Sequence, residues 1–262
     1  MHKYILIILF FFISFQLYSQ FLTHRYEFEK VKKERINLKK LKIFKISEYS
    51  SDKLVKPSTD LLLTKSVEFD EDGFKIKEII YDPEYENIIY KYYYNTEGNL
   101  FKIVFANYDI MDLLSTFTYD SSGKLIQEFL GGGENRKYII KYDNKDRITE
   151  KVGYTGSLPI DENGEVMENA EPIWDYIDRY EYEYNSKGEL TVEKFYYLDN
   201  ISYTNFFYYD KTGKRTKWIN RFGDNYDVVY VYNYDKKGLL KSIQVKSPEE
   251  IKYLIYEYEF YK

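Results

Sequence analysis

Apolar and polar residues alternate along much of this chain with a period of two. Tyr180, Tyr182 and Tyr184 alternate with Arg179, Glu181 and Glu183, and Tyr90, Tyr92 and Tyr94 with Lys91 and Tyr93. Val228, Tyr230, Tyr232 and Tyr234 alternate with Asp227, Val229, Val231 and Asn233, and Leu254, Tyr256, Tyr258 and Phe260 continue the theme near the C-terminus. Strict alternation separates the two faces of a strand, and a helix cannot use it. The pattern predicts an all-β chain.

Between the alternating runs one short phrase recurs eight times: an apolar, mostly aromatic residue, Asp or Asn, two free positions, then Gly. The copies are Phe69–Gly73, Tyr94–Gly98, Tyr119–Gly123, Tyr142–Asp146, Ile160–Gly164, Tyr184–Gly188, Tyr209–Gly213 and Tyr234–Gly238, at offsets of 25, 25, 23, 18, 24, 25 and 25 residues. A fixed period of this size marks a repeat architecture. The Asp or Asn side chain can accept a hydrogen bond from the backbone two residues on and close a turn. The Gly position calls for positive φ, as in a type I turn followed by a left-handed bulge residue. The one replacement, Asp146, is a residue type that tolerates that region. Two residues further on, Leu100, Leu125, Ile148, Val166, Leu190 and Leu240 begin a new strand, with Lys75 and Arg215 as exceptions.

A looser series of turns lies between these, among them Asp82-Pro83-Glu84, Asn107-Tyr108-Asp109, Gly131-Gly132-Gly133, Leu198-Asp199-Asn200, Gly223-Asp224-Asn225 and Ser247-Pro248. The unit is therefore a β-hairpin, and the chain an antiparallel meander of about eight repeated hairpins. About sixteen strands at ~4.8 Å spacing make a sheet roughly 75 Å wide, which should curl. The expectation is a curved or rolled sheet, as an open barrel, spiral shell or two facing layers. Its edges need covering, by the arm over 21–65 or by another copy. The repeat domain spans 66–262. An irregular insertion near 153–176, with Gly156, Pro159 and Pro172, is the place where function is most expected.

The first 19 residues read as a signal peptide: Lys3, an apolar run from Tyr4 to Phe15, and Ser19 at a plausible cleavage point. The run is shorter than the ~20 residues of a spanning helix. This predicts export to the periplasm, cell surface or medium, with no membrane attachment after signal removal. The absence of cysteine excludes a lipid-anchored N-terminus and disulfides. From Gln20 onward 243 residues must be held by packing and backbone pairing, with 20–65 as an N-terminal arm or first strands. Net charge is −5, which argues against nucleic acid. The basic stretch Lys30–Lys45 reads as a solvated arm or first strand. Tyr, with 32 copies, suits a half-buried pleated surface, its ring packed and its hydroxyl near water.

Tyr119-Asp120-Ser121-Ser122-Gly123-Lys124-Leu125 and its counterparts over about 66–245 resemble the YD repeat of RHS-type proteins. The resemblance implies a wound β-sheet shell at a cell surface or around a toxin, and for some members carbohydrate binding. The chain is far smaller than the large RHS proteins, and its repeats run almost to Lys262, so a C-terminal toxin domain is not expected. The short exported form is also similar to secreted repeat proteins of Bacteroidetes-type bacteria.

Little in the sequence carries catalytic chemistry. The mature chain has one histidine, His24, near its start, and no thiol. Gly131-Gly132-Gly133-Glu134 lacks the Lys-Ser/Thr ending of a phosphate loop. Asp70-Glu71-Asp72-Gly73 and Asp161-Glu162-Asn163-Gly164 lack the further ligands of a calcium loop. No catalytic residue, metal or cofactor is expected. Trp174 and Trp218, the only tryptophans, are candidates for ligand contact, as stacking platforms or interface anchors, with core packing as the plain alternative. The leading expectation is a non-enzymatic exported protein with a structural or binding role at the cell envelope, its partner a protein or a glycan. The alternatives are a carbohydrate-active enzyme using two carboxylates and an immunity-type or scaffold protein.

Overall fold

The structure, a computed structural model, describes residues 28–52, 61–84, 86–107, 110–130, 135–160, 163, 167, 170–223 and 226–261. The export signal, His24 and most of the fifth phrase lie outside the described residues.

Helix α1 (Phe28–Leu41) precedes sixteen strands. They are β1 (Ile43–Ser51), β2 (Leu62–Phe69), β3 (Lys75–Ile80), β4 (Ile88–Tyr94), β5 (Leu100–Asn107), β6 (Ile110–Tyr119), β7 (Leu125–Leu130) and β8 (Arg136–Tyr142), followed by β9 (Ile148–Ser157), β10 (Ile173–Tyr184), β11 (Leu190–Tyr197), β12 (Asn200–Tyr209), β13 (Arg215–Phe222), β14 (Tyr226–Tyr234), β15 (Leu240–Lys246) and β16 (Ile251–Phe260). Each strand pairs antiparallel with its sequence neighbours.

The expected curved or rolled sheet is corrected in one respect: it closes. β1 pairs with β16 from Ile43↔Phe260 to Ser51↔Tyr253 and with β2 on its other side, so both sheet edges are consumed in a closed barrel. Closure alone removes the unpaired edges that an open sheet must protect. The basic stretch Lys30–Lys45 runs through α1, which ends at Lys42 with φ 54°, into the first strand, β1. Its Lys39 pairs with Asp72 at 2.6 Å, and its Arg35 guanidinium lies 4.3 Å from the Phe74 ring centroid. The helix thus rests on the β2–β3 turn.

Seven of the eight phrases form hairpin turns on one end of the barrel, the first rim. In the third copy Asp120 Oδ1 accepts from the amides of Ser122 and Lys124, both at 2.9 Å. The Asp120 amide donates to the Lys124 carbonyl at 2.8 Å, and Gly123 sits at φ 83°. Asp146 takes the same role at φ 61°. The fifth phrase falls in the β9–β10 connection on the opposite, second rim, which accounts for the broken 18-residue offset.

Each turn brings a bulge, seen as a register shift at positions such as Thr118/Tyr119 and Asn233/Tyr234. A bulge takes backbone groups out of the ladder. The phrase tyrosine of the next hairpin supplies a replacement. The hydroxyl of Tyr94 donates to the Lys75 carbonyl (3.0 Å), Tyr119 to Leu100 (2.7 Å), Tyr142 to Leu125 (2.7 Å), Tyr184 to Ile148 (2.8 Å) and Tyr234 to Arg215 (2.9 Å). Every acceptor lies two residues after the Gly position of the preceding hairpin. Tyr258 makes the same bond to Leu240 at 2.6 Å from β16, which has no such phrase. Phe69 has no hydroxyl to give; its own carbonyl instead accepts from Tyr261 at 2.6 Å, across the closure.

Inward positions form a core of Tyr138, Ile140, Tyr180, Tyr182, Phe195, Tyr203, Phe207, Trp218 and Tyr230. Tyr92, Ile103 and Phe117 continue it on the other side. If the staple matters, Tyr119→Phe should destabilise the barrel by about 1 kcal/mol, the net worth of a neutral hydrogen bond. Tyr208→Phe, outside the staple series, should cost less. Urea melts of the two variants check this, and equal stabilities would contradict it.

Candidate functional site

The inward face is not uniformly apolar. Alternation carries several charged residues inside, where each finds a partner. Lys151 on β9 is 1% exposed and its ammonium lies 3.0 Å from Glu128 on β7, which is fully covered. The same ammonium stands 3.8 Å from the Tyr138 ring centroid. Burying two charges is tolerable only when they are well paired.

Beside this pair lies Asp178 on β10. Its Oδ2 is 3.4 Å from the Tyr138 hydroxyl and 3.8 Å from Arg136, while Oδ1 has no hydrogen-bond partner. Oδ1 occupies the space where Gly153 lacks a side chain; a Cβ there would sit 2.1 Å from it. Burial raises the Asp178 pKa above the ordinary carboxylate value, despite the opposing pull of Arg136 and Lys151. Burial likewise pushes Tyr138 up to about 12.

A second network fastens the closure. Glu48 on β1 accepts from the Tyr256 hydroxyl of β16 at 2.8 Å and from Thr64 of β2 at 3.1 Å, with Lys65 at 3.6 Å. Glu78 pairs with Lys75 and accepts from the Tyr92 hydroxyl at 2.8 Å. Its burial would raise its pKa, but Lys75 and Lys65 outweigh that and hold it below the ordinary value.

The third network contains Trp218. Its indole N–H donates to Asn205 Oδ1 at 2.7 Å, and the Asn205 amide donates to Glu193 at 2.6 Å. The indole stacks on Tyr230 with centroids 4.0 Å apart. Trp218 is therefore placed in the barrel interior.

Trp174 is on the outer face near the second rim. The ring lies over Gly156, where a Cβ would come 2.9 Å from it, and Lys137 Nζ stands 4.0 Å from its centroid. The Gly156 side has no room for the ammonium, so Lys137 covers the other face. A stacking ligand would have to displace Lys137. The structure thus does not bring the two tryptophans together.

Other outward rings are treated alike. Arg179 lies 4.4 Å from the Tyr196 centroid, Lys217 4.7 Å from Tyr208 and Arg221 5.2 Å from Phe206. Outward charges also pair across strands: Lys194 with Glu183 at 2.6 Å, Arg221 with Asp227 at 2.8 Å and Lys45 with Glu259 at 3.2 Å. Among the described residues no group of three or more metal-ligating side chains gathers, and no helix is long and apolar enough to cross a membrane. A shallow groove of about 420 Å³ on the outer wall at the first rim is bounded by Ser47, Asp235, Lys237 and the stretch Tyr256–Phe260.

The inward charges Glu128, Lys151, Asp178 and Glu193 are absent from the sequence reading, although a signal was there. Asp178 shares the parity of Tyr180, Tyr182 and Tyr184 and faces inward with them, being on their side of the register shift between Tyr176 and Asp178.

No family model matches the chain, and no curated protein matches it. Among solved structures, the chain is similar in fold to a porin-like protein from Bacteroides uniformis ATCC 8492, with TM-score 0.52 and 9% identity over 83% of this chain and 98% of that one. A porin-like protein from Bacteroides vulgatus ATCC 8482 aligns at TM-score 0.44 and 11% identity, over 83% and 98%. A TcdB2-TccC3-Cdc42 structure aligns at 0.32 and 15%, over 74% of this chain but 9% of that chain. The first likeness is one of barrel fold; the lower scores carry no argument. The barrel is compatible with a YD-type repeat.

Because Asp178 is held with a raised pKa, its ionisation costs folding energy once pH exceeds the unfolded-state value of about 3.9. Asp178→Asn should therefore stabilise the protein at pH 7, with the gain vanishing towards pH ~4. Thermal melts at the two pH values test this; destabilisation at pH 7 would contradict it.

Proposed function

We infer that this chain is an exported, non-enzymatic β-barrel that works in water at the cell envelope, as a binding or structural protein for a protein or glycan partner. The carrying observation is the polarity of the two faces. A lipid-embedded barrel presents an apolar band outward and keeps polar residues inside. Here Tyr180, Tyr182, Phe195, Phe207 and Trp218 point inward, while Arg179, Glu181, Glu183, Lys194 and Arg221 point outward. A charge facing lipid at mid-membrane costs about 2–4 kcal/mol, so an array of them opposes insertion. The shared barrel fold therefore does not bring a pore with it.

A binding role rather than catalysis is supported by the state of the carboxylates. Glu48, Glu78, Glu128 and Glu193 are tied to inward partners. The turn aspartates are engaged by backbone amides; these hydrogen bonds, led by that from Arg147, hold Asp143 down at about 2. The reading of the chain as a short YD-repeat relative belongs to the same proposal and rests on the seven equivalent turns.

The mature chain, Gln20–Lys262, should purify without detergent as a monodisperse species and stay in the aqueous layer of a liposome flotation. Aggregation relieved only by detergent, together with insertion into vesicles, would overturn the reading.

A further inference from the structure

The first rim is built of Asp, Asn, Lys, Ser and Gly turns. The second rim differs. Its β11–β12 tip exposes Tyr197 (48%), Leu198 (53%) and Ile201 (57%). Leu198 and Asp199 both have positive φ, 46° and 64°. A leucine in that region is an outlier, since only Gly and short polar residues enter it readily. The tip is also held firmly. The Leu198 amide donates to the Ile177 carbonyl at 3.0 Å, the Tyr176 hydroxyl to Asp199 at 3.0 Å, and the Asn200 side chain to the Leu198 carbonyl at 3.1 Å. An apolar side chain is thus fixed outward, at a conformational cost, on a braced support. A surface ordered in advance loses little entropy on association, and an exposed apolar knob on such a support marks an interaction site.

We propose that the Tyr197–Ile201 tip docks into an apolar pocket of a protein partner edged with Lys or Arg. The proposal rests on the reading of this chain as a binding protein and supplies the class of partner. Charge selects the occupant. The second rim carries the exposed acids Glu84, Glu86, Glu171, Asp175, Asp199 and Glu249. Most cations of the rim are engaged, Arg179 with both Glu181 and Asp199, Arg221 with Asp227 and Lys252 with Glu250, with Lys246 exposed beside them; the acids still outnumber the cations. An acidic rim is repelled by an anionic lipid surface, which attracts basic segments. Tyr197 supplies the tip's one ring and hydroxyl, while the more exposed Leu198 and Ile201 present neither, and a sugar's hydroxyls would lose water against them uncompensated. A basic-edged protein pocket satisfies both the apolar tip and the acids around it.

The test places a photo-crosslinking phenylalanine analogue at 198 or 201 in the full chain in its native host, with Lys236 on the first rim as control. The expected result is an adduct with one identifiable protein from 198 and 201 and not from 236. That protein, purified, should bind the wild type more weakly as salt rises, and Leu198→Asp/Ile201→Asp at least tenfold more weakly. Leu198→Gly separates docking from folding, because glycine accepts this conformation: it should melt no lower than wild type yet lose at least tenfold in affinity. No specific adduct, equal adducts from 236, unchanged affinity in both variants, or wild-type binding to phosphatidylglycerol vesicles that Leu198→Asp abolishes would each overturn the proposal. The detergent-free behaviour of the barrel is independent of all these outcomes.

Discussion

A bulge at the end of a hairpin takes backbone groups out of the β-ladder, and a buried carbonyl without a donor is costly. In this barrel the missing donor is a tyrosine hydroxyl one hairpin further along. Where it forms, the bond ties a repeat to the one before it, as in Tyr119 to Leu100 and Tyr142 to Leu125. It also explains why the phrase begins with tyrosine rather than phenylalanine. Asp or Asn shapes the turn, the left-handed residue completes it, the bulge follows, and the tyrosine repairs the bulge. Bulges bend and twist the strands that carry them, and one per hairpin on the same rim gives the sheet a consistent curl. Tyr261, near the far end of the chain, donates to the Phe69 carbonyl, so a tyrosine hydroxyl also fastens the closure, at a different position of the phrase.

The interior combines this tyrosine-rich packing with paired charges. Glu48 joins β16, β1 and β2 at the closure, while Glu128 and Lys151 neutralise each other within the wall. Asp178 is the least satisfied member, with one oxygen lacking a partner and room for it only because residue 153 is glycine. Outside, aromatic rings at Trp174, Tyr196 and Tyr208 are capped by Lys137, Arg179 and Lys217. This lets a tyrosine-rich sheet present charge beside its outward rings, which stay partly exposed, as Tyr208 does at 45%.

Much of this was legible in the sequence because local chemistry determines it. The alternation of Tyr180 to Tyr184, the turn at Asp120–Gly123 and the tolerance of Asp146 for positive φ are all properties of a few adjacent residues. Closure was not legible, because it depends on curvature summed over sixteen strands and on β1, which lies outside the repeat and lacks its aromatic alternation. The helix before β1 was hidden by its basic composition, which reads equally as a solvated arm. The fifth phrase matched the pattern yet sits on the opposite rim, since a motif does not reveal which end of a strand it follows. Parity along β10 would turn Trp174 inward with Tyr180, but the register shift between Tyr176 and Asp178 places it outward, whereas Trp218 faces inward.

The central claim is that β1 closes the sheet by pairing with β16. The chain contains no cysteine, so a pair introduced as Ser47→Cys and Glu257→Cys reports on that seam alone. Directly opposed antiparallel residues lie about 4.5–5.5 Å apart at Cα, within disulfide reach. Mild oxidation should give a monomer with one intramolecular disulfide and an unchanged circular dichroism spectrum. Thiols that remain free in the folded protein, or that link separate chains, would show that the sheet is open.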